Sequence, residues 1–169
     1  VKENSTVTYS VGGLILSNSG AITANYWLTE IYDQEIANAH RNAEIHLHDL
    51  SRLTGYCAGG SLKQLIQEGL GGIPGKITSA LAKHLSTLCN QMVNFLGIMQ
   101  NEWAGAQAFS SFDTYLAPFV KVDNLTQKEV KQCIQCFVYG VNTPSRWGTQ
   151  APFSNITLDW TVPADLANQ

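Results

Sequence analysis

The chain has 169 residues, with 10 basic and 13 acidic side chains and a formal net charge of −3 at pH 7, and this length predicts one compact domain with room for a sizeable core. Charged residues make up only 14%, against roughly a quarter in ordinary soluble domains, while Asn and Gln together number 23, as many as all the charges combined. The charge balance gives no reason to expect a nucleic-acid or membrane-surface partner, the 44% hydrophobic content excludes disorder, and the low charge leaves either a chain mostly covered by partners or a piece of something larger.

In chain order, residues 7–16 read as a β-branched strand broken by Gly12 and Gly13, with 17–20 as the turn after it. Thr23 then opens a helix to about Ala39, with Trp27 and Ile31 on one face. The segment 44–50 alternates polar and apolar and suits a short half-buried strand. A glycine-rich loop over 54–60 follows, Ser61 caps a helix through about Glu68, and 69–75 form a second loop. The longest helix, capped by Thr78 or Ser79, is expected to reach about Glu102. Its large apolar residues, Leu81, Leu85, Leu88, Met92, Phe95, Met99 and Trp103, make a sustained one-face stripe. The flanks of that stripe are amides, which predicts burial in a bundle or at a subunit interface. Thr126 to Glu129 is a capping box opening a helix to about Tyr139, Pro144 prevents its continuation, and 153–160 reads as a strand. The order β-α-β-α-α-α-β is mixed α/β, with too few strands to close a sheet alone. Eight polar residues within 84–101 exclude a membrane-spanning helix. No basic-then-apolar signal segment follows Val1, and four cysteines do not amount to a disulfide framework, so a reducing, cytoplasmic setting is expected.

Four stretches hold the chemistry-bearing residues. His46 and His48, two apart on a strand, project from one face. Such a pair suits a metal, the polar lining of a site, or a purely structural role with Asp49 fixing a tautomer, and no third ligand lies at an expected spacing. Cys57 sits among small residues that permit close approach of a ligand. It suits a nucleophile, a redox thiol or a hydrogen-atom donor, or else a small buried hydrophobe. Cys133 and Cys136 form a C-x-x-C in mid-helix, away from any helix N-terminus and without a second pair, and a structural role is expected. The stretch 142–155 runs from loop into strand with Arg146 as its one charge. There Gln150, Ser154 and Asn155 either line an uncharged pocket or satisfy backbone groups.

Three long stretches, AHRNAEIHLHDLSRLTGYCAGGSL, NFLGIMQNEWAGAQAFSSFDTYLAPFV and VNTPSRWGTQAPFSNITLDW, resemble the large subunit of the anaerobic (class III) ribonucleoside-triphosphate reductases, which are glycyl-radical enzymes. The resemblance runs from NSTVTYSVGGL onward in the family's order. It implies that residues 1–169 are one incomplete domain, the early part of a ten-stranded α/β barrel with long interface helices. The thiyl-forming cysteine, the zinc-binding cysteine cluster, the glycyl-radical loop and the ATP-cone have no counterpart in this stretch.

In that family a separate activase, using S-adenosylmethionine and an iron–sulfur cluster, makes the glycyl radical, which passes to a cysteine. The resulting thiyl takes the ribose 3′-hydrogen, water leaves C2′, and a second cysteine on the opposite face of the sugar supplies a hydrogen atom, with formate as a common final reductant. Cys57 matches that second cysteine. The resemblance makes His46 and His48 polar lining of the same site rather than metal ligands, and it puts Ser154 and Asn155 on another barrel strand facing the substrate. It also implies a homodimer through long helices with dNTP or ATP effectors near the interface, where His84, Gln91 and Asn94 are candidate contacts and Lys121 a candidate phosphate ligand. The expected partners are the rest of the polypeptide, a second copy, the activase and the nucleotides, with no nucleic acid and no membrane. These 169 residues alone are expected to be inactive. A non-catalytic dimerisation or nucleotide-binding remnant is the alternative, and a metal-dependent hydrolase built on His46 and His48 is a third.

Overall fold

The computed structural model describes residues 11–52, 54–71, 75, 79–143 and 151–167. The elements are α1 (Val11–Tyr26), a π-helical turn (Trp27–Ile31), α2 (Gln34–Arg41), β1 (Ala58–Gly60), α3 (Leu62–Glu68), α4 (Leu85–Met99), β2 (Gln107–Phe109), α5 (Phe112–Val122), α6 (Gln127–Asn142) and β3 (Ser154–Ile156). The strands form one parallel sheet in the order β1-β2-β3. Ala58, Gln107 and Ser154 share one level, Gly59, Ala108 and Asn155 the next, and Gly60, Phe109 and Ile156 the third. Parallel neighbours need crossover connections, supplied by α3 and α4 between β1 and β2, and by α5 and α6 between β2 and β3. The mixed α/β class is as expected from the sequence.

Local chemistry explains the helices that begin where the sequence places them. Ser61 accepts a hydrogen bond from the Gln64 amide at 3.1 Å and starts α3, which Gly69 ends at φ 69°. Both capping-box bonds open α6: the Thr126 amide donates to Glu129 Oε2 at 2.8 Å, and the Glu129 amide donates to Thr126 Oγ1 at 3.4 Å. Hydrogen bonds from the Thr126 hydroxyl and then its amide hold the Glu129 carboxyl below its usual pKa. Along α4, Leu85, Leu88, Cys89, Met92 and Leu96 are all buried at the spacing of one helical face. They pack with Leu62 and Leu65 of α3, Phe109 of β2, Phe112 and Leu116 of α5, and Phe137 and Val141 of α6. Against α6 the approach is so close that a Cβ on Gly140 would lie 2.8 Å from a Val93 methyl. Burial pushes the Cys89 thiol up to about 12.

The structure departs from the sequence pattern in several places. Residues 11–20 are helical rather than the end of a strand and a turn, while 7–10 lie outside the described residues. The β-branched side chains that suggested a strand are exposed, Val11 at 76% and Ile15 at 61%, so no buried sheet face selects them. Instead Gly20 lets α1 close onto the 50–52 segment, where a Cβ would meet that of Ser51 at 2.8 Å. The helix expected over 23–39 is interrupted by the π-helical turn and a break at Tyr32 and Asp33.

The strand expected over 44–50 does not form, because Ala43 and Asp49 take positive φ (61° and 58°) and the Leu47 amide donates to His40 Nδ1 at 3.1 Å instead of to a ladder. The long helix starts at Leu85 with His84 as its N-cap residue. Ser79 is drawn away into a bridge with Leu70, and its hydroxyl accepts from Gln91 Nε2 at 2.8 Å. β3 covers three residues rather than 153–160. β1, β2 and α5 are additions: Ala-Gly-Gly and Gln-Ala-Phe are too short to show alternation, and α5 carries Pro118 inside it, a residue that normally marks a helix end.

Candidate active site

The sheet has two unlike faces. Side chains alternate along a strand, and in β2 Gln107 and Phe109 are 3% and 1% exposed on the helix-covered side. Gln107 is fixed there by donating from Nε2 to the Leu96 carbonyl of α4 at 3.0 Å. The level between them, Gly59, Ala108 and Asn155, turns the other way. Gly59 and Asn155 are exposed. Parallel sheets in folded proteins are normally covered on both faces. Here one face carries the whole core and the other presents small, uncharged groups.

Cys57 stands at the head of this bare face, two residues before Gly59, and is exposed. The chain segments ahead of β1 and β2 stay joined: the Ala104 amide donates to the Gly55 carbonyl, the Gly105 amide to the Tyr56 carbonyl and the Ala58 amide to the Ala106 carbonyl. Gly105 is required at this junction. A Cβ there would lie 2.8 Å from Cys57 Sγ, 3.0 Å from Tyr56 Cε2 and 3.0 Å from the Tyr56 carbonyl oxygen. The thiol and the phenol ring are therefore both packed closely against Gly105. Gly55 makes a second close approach, with the Trp103 ring 2.9 Å from where its Cβ would sit.

Arg52 locks this loop to the end of α4. Its Nη1 donates to the carbonyls of Gln100 and Trp103, each at 3.0 Å, satisfying the C-cap carbonyl that the helix end leaves open and one in the turn beyond it. The Trp27 indole N–H in turn donates to the Arg52 carbonyl at 3.0 Å.

The histidines reach the site by ring packing rather than by strand alternation. His40 and His46 have ring centroids 5.8 Å apart, and His46 stacks with His48 at 6.4 Å. His48 meets Tyr56 edge-on at 5.0 Å, and its Nδ1 is 2.7 Å from Asp49 Oδ2. Asn155 lies on the bare face, but Ser154 shares the level of buried Gln107, and its hydroxyl donates to the Pro152 carbonyl at 3.1 Å. The two neighbours thus face opposite sides. Arg146 and Gln150 lie outside the described residues.

The remaining expected residues lie on the helical side. His84 Nδ1 is 3.0 Å from Asp123 Oδ2, next to the end of α5 that carries exposed Lys121. Gln91 is buried, with Nε2 donating to Ser79 Oγ and to the Ala80 carbonyl at 2.8 and 2.6 Å, and with Oε1 left without a partner. Asn94, one helical turn on, is exposed. Cys133 lies half-buried in α6 with its thiol pKa raised by burial and then by Cys136, which is exposed. A cleft of about 480 Å³ between α3 and α5 is lined by Lys63, Ile66, Lys83, Tyr115, Phe119 and Asp165, among others. Lys63 bonds Asp165 at 2.6 Å, raising its own pKa and lowering that of Asp165. Among the described residues no three His, Cys, Asp or Glu side chains are grouped to hold a metal ion, and no helix is long and apolar enough to cross a membrane.

Tyr56, Gly105 and Arg52 are site residues that the sequence reading did not single out. The signal available was the small-residue run Ala104-Gly105-Ala106 opposite the Cys57 loop.

The sequence profile described as anaerobic ribonucleoside-triphosphate reductase matches residues 3–169. Among solved structures, the anaerobic ribonucleotide reductase from Thermotoga maritima in complex with dATP and CTP matches with a TM-score of 0.73 at 27% identity, over 87% of this chain and 28% of that chain. The same enzyme with dATP bound in the specificity site matches over the same shares with a TM-score of 0.72 and 27% identity. A further structure described as anaerobic ribonucleotide reductase gives 0.64 at 26% identity, over 86% and 25%. The chain therefore spans 25–28% of the length of these structures. No curated protein matches it significantly.

Proposed function

Because the chain belongs to the anaerobic ribonucleoside-triphosphate reductase family, we propose that it is the part of such an enzyme that presents the second active-site thiol, Cys57, to the ribose of a ribonucleoside triphosphate. The observation that carries this reading is the bare sheet face headed by an exposed thiol, in a fold whose other face holds the entire core. A sugar needs room against the sulfur, and the small groups of Gly59 and Ala108 on the bare face leave it. Asn155 offers directed hydrogen bonds to hydroxyls without introducing charge, and His46 and His48 line the same side.

The bare face is one arc of the ten-stranded barrel, completed by the rest of the polypeptide, which also carries the glycyl radical, the thiyl-forming cysteine and the zinc cluster. Among the described residues no cluster of His, Cys, Asp or Glu suits a zinc ion. Cys57 supplies a hydrogen atom to C2′ once water has left, and formate restores the reducing equivalents. The activase with S-adenosylmethionine and its iron–sulfur cluster acts on the complete chain in the cytoplasm. The same reading expects a homodimer through long helices such as α4, with dNTP or ATP effectors contacting His84, Asn94 and Lys121, whereas Gln91 is buried and bonded to Ser79 and Ala80 and is not placed to take part.

The test is Cys57→Ser in the complete enzyme. The expected result is loss of turnover with the glycyl radical still formed, read by electron paramagnetic resonance. Normal turnover in that variant overturns the assignment.

A further inference from the structure

Asp49, His48, Tyr56 and Cys57 form a row: a carboxylate on an imidazole at 2.7 Å, the imidazole edge-on to a phenol at 5.0 Å, and that phenol packed with the thiol against Gly105. The row is held in place. Asp49 takes φ 58°, a left-handed conformation uncommon outside glycine, and its carboxylate engages Nδ1 of the preceding residue. Non-glycine residues in such conformations cluster at functional sites. With Nδ1–H donated to Asp49, Nε2 is the nitrogen free to exchange a proton, and the His48 side chain is 61% exposed next to the Tyr56 ring. Among the described residues Asp49 is the one charged group bonded to His48, while His46 and Tyr56 flank it as rings.

The stereochemistry of ribose decides what such a group meets. Its 2′- and 3′-hydroxyls are cis, and the 3′-hydrogen points to the opposite face. If hydrogen is abstracted from one face and Cys57 stands on the other, as the proposed function has it and on which this inference rests, then Cys57 and its neighbours face both hydroxyls. We propose that His48, held by Asp49, is the acid–base residue that removes the 2′-hydroxyl as water. Nε2–H gives its proton to the 2′-oxygen while the C2′–O bond breaks with its electron pair on oxygen. The 3′-hydroxyl gives its proton to the emptied Nε2 as C3′–O becomes a carbonyl. The 3′-centred sugar radical becomes a C2′-centred radical beside a 3′-ketone, one water departs, and the imidazole ends as it began. No external oxidant or reductant enters this step. Tyr56 is the wall that sets the spacing between imidazole and thiol.

The experiment uses the complete enzyme and two variants. His48→Gln keeps a group able to bond Asp49 but cannot carry the proton, and its kcat is expected to fall by a factor on the order of 10²–10⁴, with KM little changed and the glycyl-radical signal intact. His48→Gly is expected to lose activity similarly and to regain it in a saturable manner with added imidazole, but not with thiazole, a ring of like size that stays unprotonated. Normal turnover in His48→Gln overturns the proposal, as does a loss in His48→Gly that imidazole leaves unrestored, since that is the behaviour of a packing residue. Failure of the proton role is distinguishable from failure of the underlying function. In the first case Cys57→Ser is inactive while His48→Gln works; in the second Cys57→Ser itself turns over.

Discussion

Replacing Gly105 with alanine adds one methyl at the most crowded point of the site. Its carbon would sit 2.8 Å from Cys57 Sγ and 3.0 Å from the Tyr56 carbonyl oxygen, whereas relaxed heavy-atom contacts lie at roughly 3.5–4.0 Å. About 1 Å of movement is needed. The carbonyl cannot supply it without loosening the hydrogen bond it accepts from the Gly105 amide itself, so the sulfur must swing away. Overpacking of this kind costs about 1–3 kcal/mol. A reacting atom misplaced by about 1 Å costs on the order of 10² in rate. Gly105→Ala in the complete enzyme is therefore expected to lose about 100-fold in kcat with its glycyl-radical yield unchanged. Gly59→Ala is the matched control. No atom lies within 4 Å of its added carbon, so it carries no strain, and the methyl raises KM by standing where the sugar lies. Steady-state kinetics and thermal unfolding of both variants make the comparison. If Gly105→Ala retains wild-type kcat, or the two variants cannot be told apart, the reasoning from close approach is wrong.

Two further outcomes check the frame around the site. Arg52→Ala removes both hydrogen bonds to the Gln100 and Trp103 carbonyls and is expected to cost about 1.5–3 kcal/mol. Hydrogen exchange at the Ala104 and Gly105 amides should accelerate in that variant, and unchanged protection there would show that Arg52 does not hold the loop. Cys89, buried and with its thiol pushed up to about 12, should resist alkylation at pH 8 until the protein is unfolded, whereas exposed Cys136 should label in the native state. Mass-spectrometric mapping decides it, and early labelling of Cys89 would contradict the packing of α4 on α6.

Features closed by local chemistry were legible in the amino-acid sequence. Ser61 and the Thr126–Glu129 box need only neighbours three residues away, so α3 and α6 begin where expected, and the apolar stripe of α4 reports one buried face directly. The low charge was legible as a sign of covered surfaces or of a larger whole, and the bare sheet face with exposed Val11, Ile22, Leu158 and Trp160 shows where such cover would lie. The long matches around Cys57, Trp103 and Asn155 likewise carried the family resemblance before any geometry.

Tertiary structure alone decided how those parts meet. Three-residue strands of Ala, Gly and Gln exist because backbone groups far apart in the chain pair in register, and no pattern within three residues can announce that. The histidine segment looked like a strand, yet His40 takes the Leu47 amide and Asp49 turns left-handed, so His48 reaches Tyr56 by packing instead of by alternation. Ser154 and Asn155 are adjacent in sequence but face opposite sides, because the sheet assigns one level to the core and the next to the open face. The need for glycine at position 105 arises from a sulfur 48 positions earlier in the chain. Sequence determines which groups are available and where helices with a local cap, such as α3 and α6, start. The distances that pack a thiol and a phenol against Gly105, and an imidazole against that phenol, come from tertiary contacts.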